Sequence, residues 1–232
     1  MKIFFVRHGH PNYRLDRLTE LGHRQAEAAA ERLKDEGIEK IYASTCGRAM
    51  ETACHTADRI GIPRESIVHC HFMREIRWGS RDGTELYQRG GPWSTADKML
   101  REGESLLCPD LSEDPAFRNN TVTSYAGSVC ERGDIWLSFL GLRREGDHYR
   151  VTKENNSTIA MFSHAGSSSA LIAHITGIPF SLFFTVFRPD FTAITVLEFE
   201  GEVGEIALPR IRHMLDARHI VGIEGEKTVP QF

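Results

Sequence analysis

The stretch Ile3-Phe4-Phe5-Val6-Arg7-His8-Gly9 decides the fold, because a short apolar run gives way at once to charged and polar residues. Four consecutive apolar residues are typical of a strand covered on both faces of a parallel sheet. A second such run, over residues 158–162, is followed by Ser163-His164-Ala165-Gly166. Sheets of this class place their sites beyond the carboxyl ends of the strands, where both histidine motifs are predicted to lie.

Predicted helices alternate with the strands along the chain. Thr19 is a suitable N-cap for an alanine-rich helix over residues 20–36, and Gly37 is the expected glycine at its C-terminal end. The remaining predicted elements are strands at 38–44, 66–71 and 194–199, and helices at 48–60 and from Gly166 to about 175. The alternation predicts an α/β fold, a three-layer α/β/α sandwich with a mostly parallel central sheet.

The length of 232 residues suits a single domain over residues 1–232. The regular pattern weakens between about residues 76 and 132, where glycines and prolines indicate an insertion over the active site.

Charge and cysteine content narrow the classes of function. The net charge of −4 gives no electrostatic reason to expect nucleic acid or an anionic membrane surface as a partner. The five cysteines form no C-x-x-C pair, and their odd number cannot close into a complete set of internal disulfides. The first apolar run is too short for a signal peptide or a membrane span. A soluble, cytoplasmic protein is expected.

Several residues after predicted strands suit the transfer of a phosphoryl group. Such a site needs fixed donors for the phosphate oxygens, a nucleophile and a proton source for the leaving oxygen. Arg7 and Arg48 can each offer paired N–H donors. His8 can attack phosphorus through a neutral ring nitrogen if its other nitrogen donates to a backbone carbonyl.

With these residues in place, the sequence resembles the histidine phosphatase superfamily, also called the phosphoglycerate mutase-like family. The family's first signature is Arg-His-Gly after the first strand. Four further segments resemble family motifs in the family's order: Leu18-Thr19-Glu20-Leu21-Gly22 with Gln25-Ala26, Ser44 through Arg48-Ala49 to Glu51-Thr52-Ala53, Met73-Arg74-Glu75-Ile76, and Phe162-Ser163-His164-Ala165-Gly166.

The resemblance implies a phosphatase that hydrolyses a phosphate monoester, a small phosphorylated metabolite, through a phosphohistidine on His8. Arg7, Arg48 and His164 would surround the phosphoryl oxygens, and Glu75 would protonate the leaving oxygen and later activate water. The scheme calls for no metal and no cofactor, and its product is inorganic phosphate. A surface charge cluster with its flanking arginines is the alternative interpretation of Glu75.

Candidate substrate contacts are Asn12, Tyr13, Arg74 and Arg77, although turn chemistry alone can account for Asn12. The arginines Arg74, Arg77, Arg81 and Arg89 could recognise a second anionic group. The nearby acids Asp82, Glu85 and Asp97 could instead neutralise them.

Other functions are open on the sequence. Phosphoglycerate mutase chemistry is the main alternative, although the residues after Gly9 and after Glu75 differ from the mutase pattern. A serine hydrolase centred on Ser168, with Asp190 and His213 or His219, would use the near-match to a nucleophile elbow at Gly166 to Ala170. An inactive phospho-ligand binding module is a third alternative. His69-Cys70-His71 lacks a partner with zinc-ligand spacing, so a solvated strand face is expected there.

Overall fold

The protein is built around a mixed β-sheet. The computed structural model describes residues 1–81, 92–105, 117 and 119–223, and the side chains of 92–96 are left undescribed. The described strands are β1 (Lys2–Arg7), β2 (Pro11–Asn12), β3 (Arg17–Leu18), β4 (Lys40–Ser44), β5 (Val68–Cys70), β6 (Leu142–Glu145), β7 (His148–Val151), β8 (Thr158–Ser163), β9 (Ile194–Glu200) and β10 (Ile206–Asp216). The described α-helices are α1 (Glu20–Leu33), α2 (Gly47–Ile60), α3 (Pro92–Arg101), α4 (Thr121–Phe139), α5 (Ala165–Thr176) and α6 (Phe180–Val186).

Eight of the described strands form the main sheet, in the order β5-β4-β8-β1-β9-β10-β7-β6, and β2 and β3 pair separately. Strands β5, β4, β8 and β1 are parallel neighbours, whereas the pairs from β1–β9 to β7–β6 are antiparallel. The antiparallel half arises because short connections join β6 to β7 and β9 to β10. The predicted α/β sandwich is confirmed, but the described sheet is mixed rather than mostly parallel, with three parallel and four antiparallel pairings. The parallel strands form the half from which both histidine motifs emerge.

The two faces of the sheet carry separate cores. Ile3 and Phe5 of β1 pack in the cluster that includes residues of α4, α5 and α6. Phe4 and Val6 point to the other face, into the cluster that includes residues of α1 and α2. Alternate residues of a strand face opposite sides, so the unbroken apolar run reflects a strand with helices on both sides.

The helix boundaries follow their predicted caps with one difference. Thr19 Oγ1 accepts the Gly22 N–H at 3.1 Å, which confirms the predicted start of α1. The helix ends at Leu33, three residues before its predicted end, because the Glu36 N–H turns back to the Leu33 carbonyl. Gly37 then adopts a left-handed φ of 70° in the turn beyond the helix.

Part of the segment from 76 to 132 belongs to the helical layer. Helix α4 begins at Thr121, and its buried Val122, Ala126 and Val129 join the core beside α5. Backbone hydrogen bonds from Arg81 N–H to Asn119 and from Thr121 N–H to Gly79 bring the two flanks of the intervening residues together. Between these flanks, the described Met99 of α3 and Phe117 also belong to the core cluster. Residues 82–91, 106–116 and 118 lie outside the described residues.

Candidate active site

Two histidines lie side by side at the carboxyl ends of β1 and β8. Arg7 and Ser163 end these strands and are partners in the parallel register. The next residues, His8 and His164, are both buried, and their ring centroids are 5.1 Å apart. Adjacent parallel strands thus unite two histidines that are distant in sequence.

The loop after His8 is fixed by contacts between backbones. A Cβ on Gly9 would lie 2.5 Å from the Gly22 carbonyl oxygen, and a Cβ on Gly22 would lie 2.1 Å from the His10 carbonyl oxygen. The backbone would have to move to admit a larger residue at either position. The Gly9 N–H also donates to Thr52 Oγ1 at 3.1 Å. One packing contact therefore explains glycines in two of the sequence motifs.

Hydrogen bonds define the protonation state of His8. The Nδ1 atom lies 2.7 Å from the Gly9 carbonyl oxygen and must donate to it, whereas Nε2 lies 3.3 Å from Arg48 Nε and must accept from it. Burial, together with the charges of Arg7 and Arg48, holds the pKa of His8 well below its ordinary value. The imidazole is therefore neutral, and its lone pair is on Nε2.

Arg48 connects the two histidines. Its Nη2 donates to His164 Nδ1 at 3.0 Å, so His164 Nε2 carries the proton and donates to Ser44 Oγ at 2.8 Å. Burial is the main cause that holds the pKa of His164 well below its ordinary value. The Arg48 Nη1 group forms an ion pair with Asp16, whose other oxygen accepts the Gly47 N–H. The guanidinium is thereby held in one orientation.

Arg7 supplies a second buried cation beside His8. Its Nη1 donates to the Pro189 carbonyl at 2.6 Å, and its guanidinium lies 4.1 Å from the centre of the Phe191 ring. Its Nε atom is buried without a hydrogen-bond partner among the described residues. A phosphoryl oxygen is the kind of acceptor that satisfies such a donor.

Backbone donors hold the Glu75 carboxylate against the start of α5. Its Oε1 accepts N–H groups from Gly166, Ser167 and Ile76 at 3.0, 3.2 and 3.0 Å. Gly166 makes the contact possible, because a Cβ there would lie 2.7 Å from that oxygen. Burial raises the pKa of Glu75, although the charge of Arg7 opposes the shift. These contacts are not those of an exposed charge cluster.

Of the four candidate substrate contacts, Asn12 is explained by a turn contact, whereas the other three lie near the site. Tyr13 is half exposed, with its ring centre 5.4 Å from the Arg48 guanidinium and 6.5 Å from the His8 ring. Asn12 is exposed, and its side-chain oxygen accepts the Leu15 N–H, which is a turn contact. Arg74 and Arg77 line a cleft that also includes Glu75. Only Asn12 has a local structural role that accounts for it.

Four contributors to this geometry were missed by the sequence reasoning. Ser44 and Thr52 lie in the segment that resembles the family's second arginine motif, and their spacing around Arg48 could have indicated their roles. Asp16 and Phe191 carry no such signal, because turns between elements bring them to the arginines.

Other kinds of site receive no geometric support. Ser168 Oγ bonds to Ser163 Oγ, and no histidine hydrogen-bonds to it among the described residues. His219 bonds instead to Thr192 Oγ1. Across the described ranges, no group of three or more His, Cys, Asp or Glu side chains is arranged to hold a metal ion. No α-helix in the described part of the chain is long and apolar enough to cross a membrane.

Comparison with known families decides the classification. The sequence profile of the Histidine phosphatase superfamily (branch 1) matches residues 3–106 and 147–211. The chain belongs to the histidine phosphatase superfamily. This superfamily member is 43% identical over 60 residues to the mitochondrial serine/threonine-protein phosphatase Pgam5 of Drosophila melanogaster, covering 25% of this chain and 21% of that protein. It is 33% identical over 124 residues to the probable phosphoglycerate mutase GpmB of Yersinia pestis, covering 46% of this chain and 56% of that protein.

Two solved phosphatase structures share the fold over nearly the whole chain. Phosphoserine phosphatase from Entamoeba histolytica, in complex with 3-phosphoglyceric acid, superposes with a TM-score of 0.62 at 19% identity, covering 94% of this chain and 98% of that one. A mycobacterial glucosyl-3-phosphoglycerate phosphatase with inorganic phosphate gives a TM-score of 0.62 at 20% identity and the same coverage. The family assignment and the fold therefore agree.

Proposed function

We propose that this protein hydrolyses a phosphate monoester through a phosphohistidine formed on Nε2 of His8. The observation that carries the proposal is the pair of hydrogen bonds that leaves His8 neutral, with its Nε2 lone pair beside Arg48. A neutral imidazole with its other nitrogen bonded to a carbonyl is an oriented nucleophile.

Two chemical steps follow from the arrangement. In the first, His8 Nε2 bonds to phosphorus while the phosphorus–oxygen bond to the leaving group breaks, and Glu75 transfers its proton to the departing oxygen. In the second, Glu75 takes a proton from water, whose oxygen attacks phosphorus and displaces His8. Arg7, Arg48 and His164 surround the phosphoryl group and stabilise its charge in both steps.

The substrate is proposed to be a small phosphorylated metabolite, and the product is inorganic phosphate. The similar structures are named for small phosphate esters, phosphoserine and glucosyl-3-phosphoglycerate, which supports this class. Every charge in the scheme comes from a side chain, so the reaction is proposed to need no metal. A cytoplasmic location is also proposed, supported by the free thiols of Cys46, Cys54, Cys70 and Cys130.

Hydrolysis of p-nitrophenyl phosphate in the presence of EDTA tests the activity. We expect hydrolysis by the wild type, its loss in His8→Ala, and an acid-labile phosphorylated protein that is absent in that variant. His148→Ala is the matched control, because His148 is an exposed histidine on β7. Full activity in His8→Ala would refute the mechanism, and phosphate binding without hydrolysis by the wild type would indicate an inactive binding module.

Phosphoglycerate mutase chemistry is a second candidate, favoured by the similarity to GpmB. With 3-phosphoglycerate as substrate, the two functions give different products. A phosphatase releases inorganic phosphate in proportion to substrate consumed, whereas a mutase forms 2-phosphoglycerate with little phosphate release.

A further inference from the structure

A basic cleft adjoins the phosphate pocket. It has a volume of about 690 Å³ and lies between the residues at and after β5 and one side of α4. Small-molecule sites typically measure about 300–1,000 Å³, so the cleft fits a metabolite. The ionisable side chains that line it are His69, His71, Arg74, Glu75, Arg77 and Arg132.

The arginines of this cleft have no carboxylate partner among the described residues. Within the described ranges, Arg74, Arg77 and Arg132 form no ion pair with a carboxylate, and Arg77 instead stacks on Tyr125. Elsewhere such pairs are frequent, as between Arg59 and Glu31.

Asp97 and Arg81, a possible neutralising acid and a possible anion-binding arginine, have other partners. Asp97, one of the acids expected to neutralise the arginines, pairs with Arg188. Arg81, one of the candidate anion-binding arginines, donates to the Asn120 carbonyl and to Thr123 and Ser124 at the start of α4. Arg89, Asp82 and Glu85 lie outside the described residues.

The cleft and the phosphate pocket meet at Glu75. This residue lines the cleft while its carboxylate interacts with the charges of Arg7 and Arg48. Arg74 Nη1 lies 3.5 Å from the hydroxyl of Thr45, the residue after Ser44. A monoester with its phosphoryl group at His8 and its leaving oxygen at Glu75 would therefore extend its remaining atoms into the cleft.

We propose that the cleft binds a second anionic group, a carboxylate or a second phosphate, on the leaving-group side of the substrate. Arg77 and Arg132 are its recognition residues, from opposite walls of the cleft. Guanidinium groups suit this role because their paired N–H donors match both carboxylate and phosphate oxygens. The proposal rests on the proposed function, since it assumes that the phosphoryl group occupies the pocket at His8.

Binding measurements separate the proposal from catalysis. The dissociation constants of 3-phosphoglycerate, fructose 1,6-bisphosphate and glycerol 1-phosphate are compared by calorimetry on the His8→Ala protein, which is not expected to turn them over. We expect one or both of the first two ligands to bind at least about tenfold more tightly than glycerol 1-phosphate, the effect of one hydrogen bond to a charged group. The stronger of them identifies the second group as carboxylate or phosphate.

Substitutions then locate that preference in the cleft. In the same background, Arg132→Gln or Arg77→Gln should bring the affinity ratio close to one, and Arg132→Lys should recover part of it. Arg59→Gln, which removes an arginine paired on the outer surface of α2, should leave the ratio as it was. Equal affinities for all three ligands, or a ratio unaffected by the cleft substitutions, would overturn the proposal. Arginine-dependent binding of an acidic phosphopeptide, without such binding of the small ligands, would also overturn it.

Hydrolysis rates, combined with the affinity ratio, distinguish failure of the cleft proposal from failure of the phosphatase proposal. Hydrolysis of p-nitrophenyl phosphate by the wild type, together with an absent or arginine-independent affinity ratio, would refute the cleft and preserve the phosphatase. Absence of hydrolysis with an arginine-dependent ratio would refute the phosphatase and preserve an anion-recognising cleft.

Discussion

Replacing Glu75 by glutamine tests the assignment of the general acid. The amide oxygen of glutamine can accept the same N–H groups from Gly166, Ser167 and Ile76 that now reach Oε1. The fold around the site should therefore persist, while the group that exchanges a proton is lost. General acid catalysis contributes about 10²–10⁴ to a rate, or about 3–5 kcal/mol of barrier.

The expected loss depends on the leaving group. For an alkyl ester such as glycerol 1-phosphate, Glu75→Gln should lower kcat by about 10²–10⁴, because an alkoxide leaves poorly without a proton. For p-nitrophenyl phosphate, the first step should slow by less than about tenfold, because nitrophenolate leaves unprotonated. The second step still lacks its base, so p-nitrophenol should appear as a burst while phosphohistidine accumulates.

Stopped-flow absorbance and phosphate release measure these steps, and a thermal melt checks that the variant folds. The assignment would be refuted by equal losses in the first step for both esters, or by a variant as active as the wild type on the alkyl ester. A large drop in Tm would show that the carboxylate is needed to hold the start of α5.

Three further perturbations test the surroundings of His8. The lowered pKa of His8 keeps it neutral into acid, and the raised pKa of Glu75 keeps it protonated to higher pH. A plot of kcat/KM against pH should therefore rise well below the ordinary histidine value of about 6.5 and fall as Glu75 deprotonates, with that fall missing in Glu75→Gln. Thr52→Val should cost about 1–3 kcal/mol in urea unfolding, because it strands the buried Gly9 N–H. Thr52→Ser keeps the acceptor and loses only a buried methyl group, so it should cost less. Gly22→Ala should destabilise by about 1–3 kcal/mol or more through its clash with the His10 carbonyl. The control Gly127→Ala meets no atom within 4 Å and should stabilise α4 by about 0.5–1 kcal/mol.

Strand periodicity predicts the meeting of the two histidines, but it does not predict how they are held. His8 and His164 follow parallel strands, and the rule that such strands share a carboxyl edge suffices to place them together. The contact of Asp16 with Arg48 depends on a turn with φ of 51° at Asp16, which no residue pattern specifies. The orientation of the Arg48 guanidinium thus arises from a tertiary contact, which sequence spacing does not encode.

Helix α4 shows the same limit in the fold. Its buried positions Val122, Ala126, Val129 and Trp136 follow a helical period, but glycines within it are typical of loops. Gly133 permits close packing of α4 on α5, because a Cβ there would lie 2.3 Å from Leu171 Cδ1 unless that side chain moved. A local propensity against helix was outweighed by close contact between two helices.

The distribution of charge within the site explains why two histidines and two arginines are compatible there. Burial disfavours a charged imidazole, and the neighbouring guanidinium groups disfavour it further, so His8 and His164 are neutral. The positive charge is left on Arg7 and Arg48, where it can attract a phosphoryl group, while the neutral His8 keeps its lone pair on Nε2. That lone pair accepts from Arg48 Nε in this structure, so this hydrogen bond must break before Nε2 attacks phosphorus. A lysine at position 48 would retain the charge but could not donate to His8, His164 and Asp16 from one rigid plane. The planar guanidinium is thus the element that makes attraction of the substrate and availability of the nucleophile consistent.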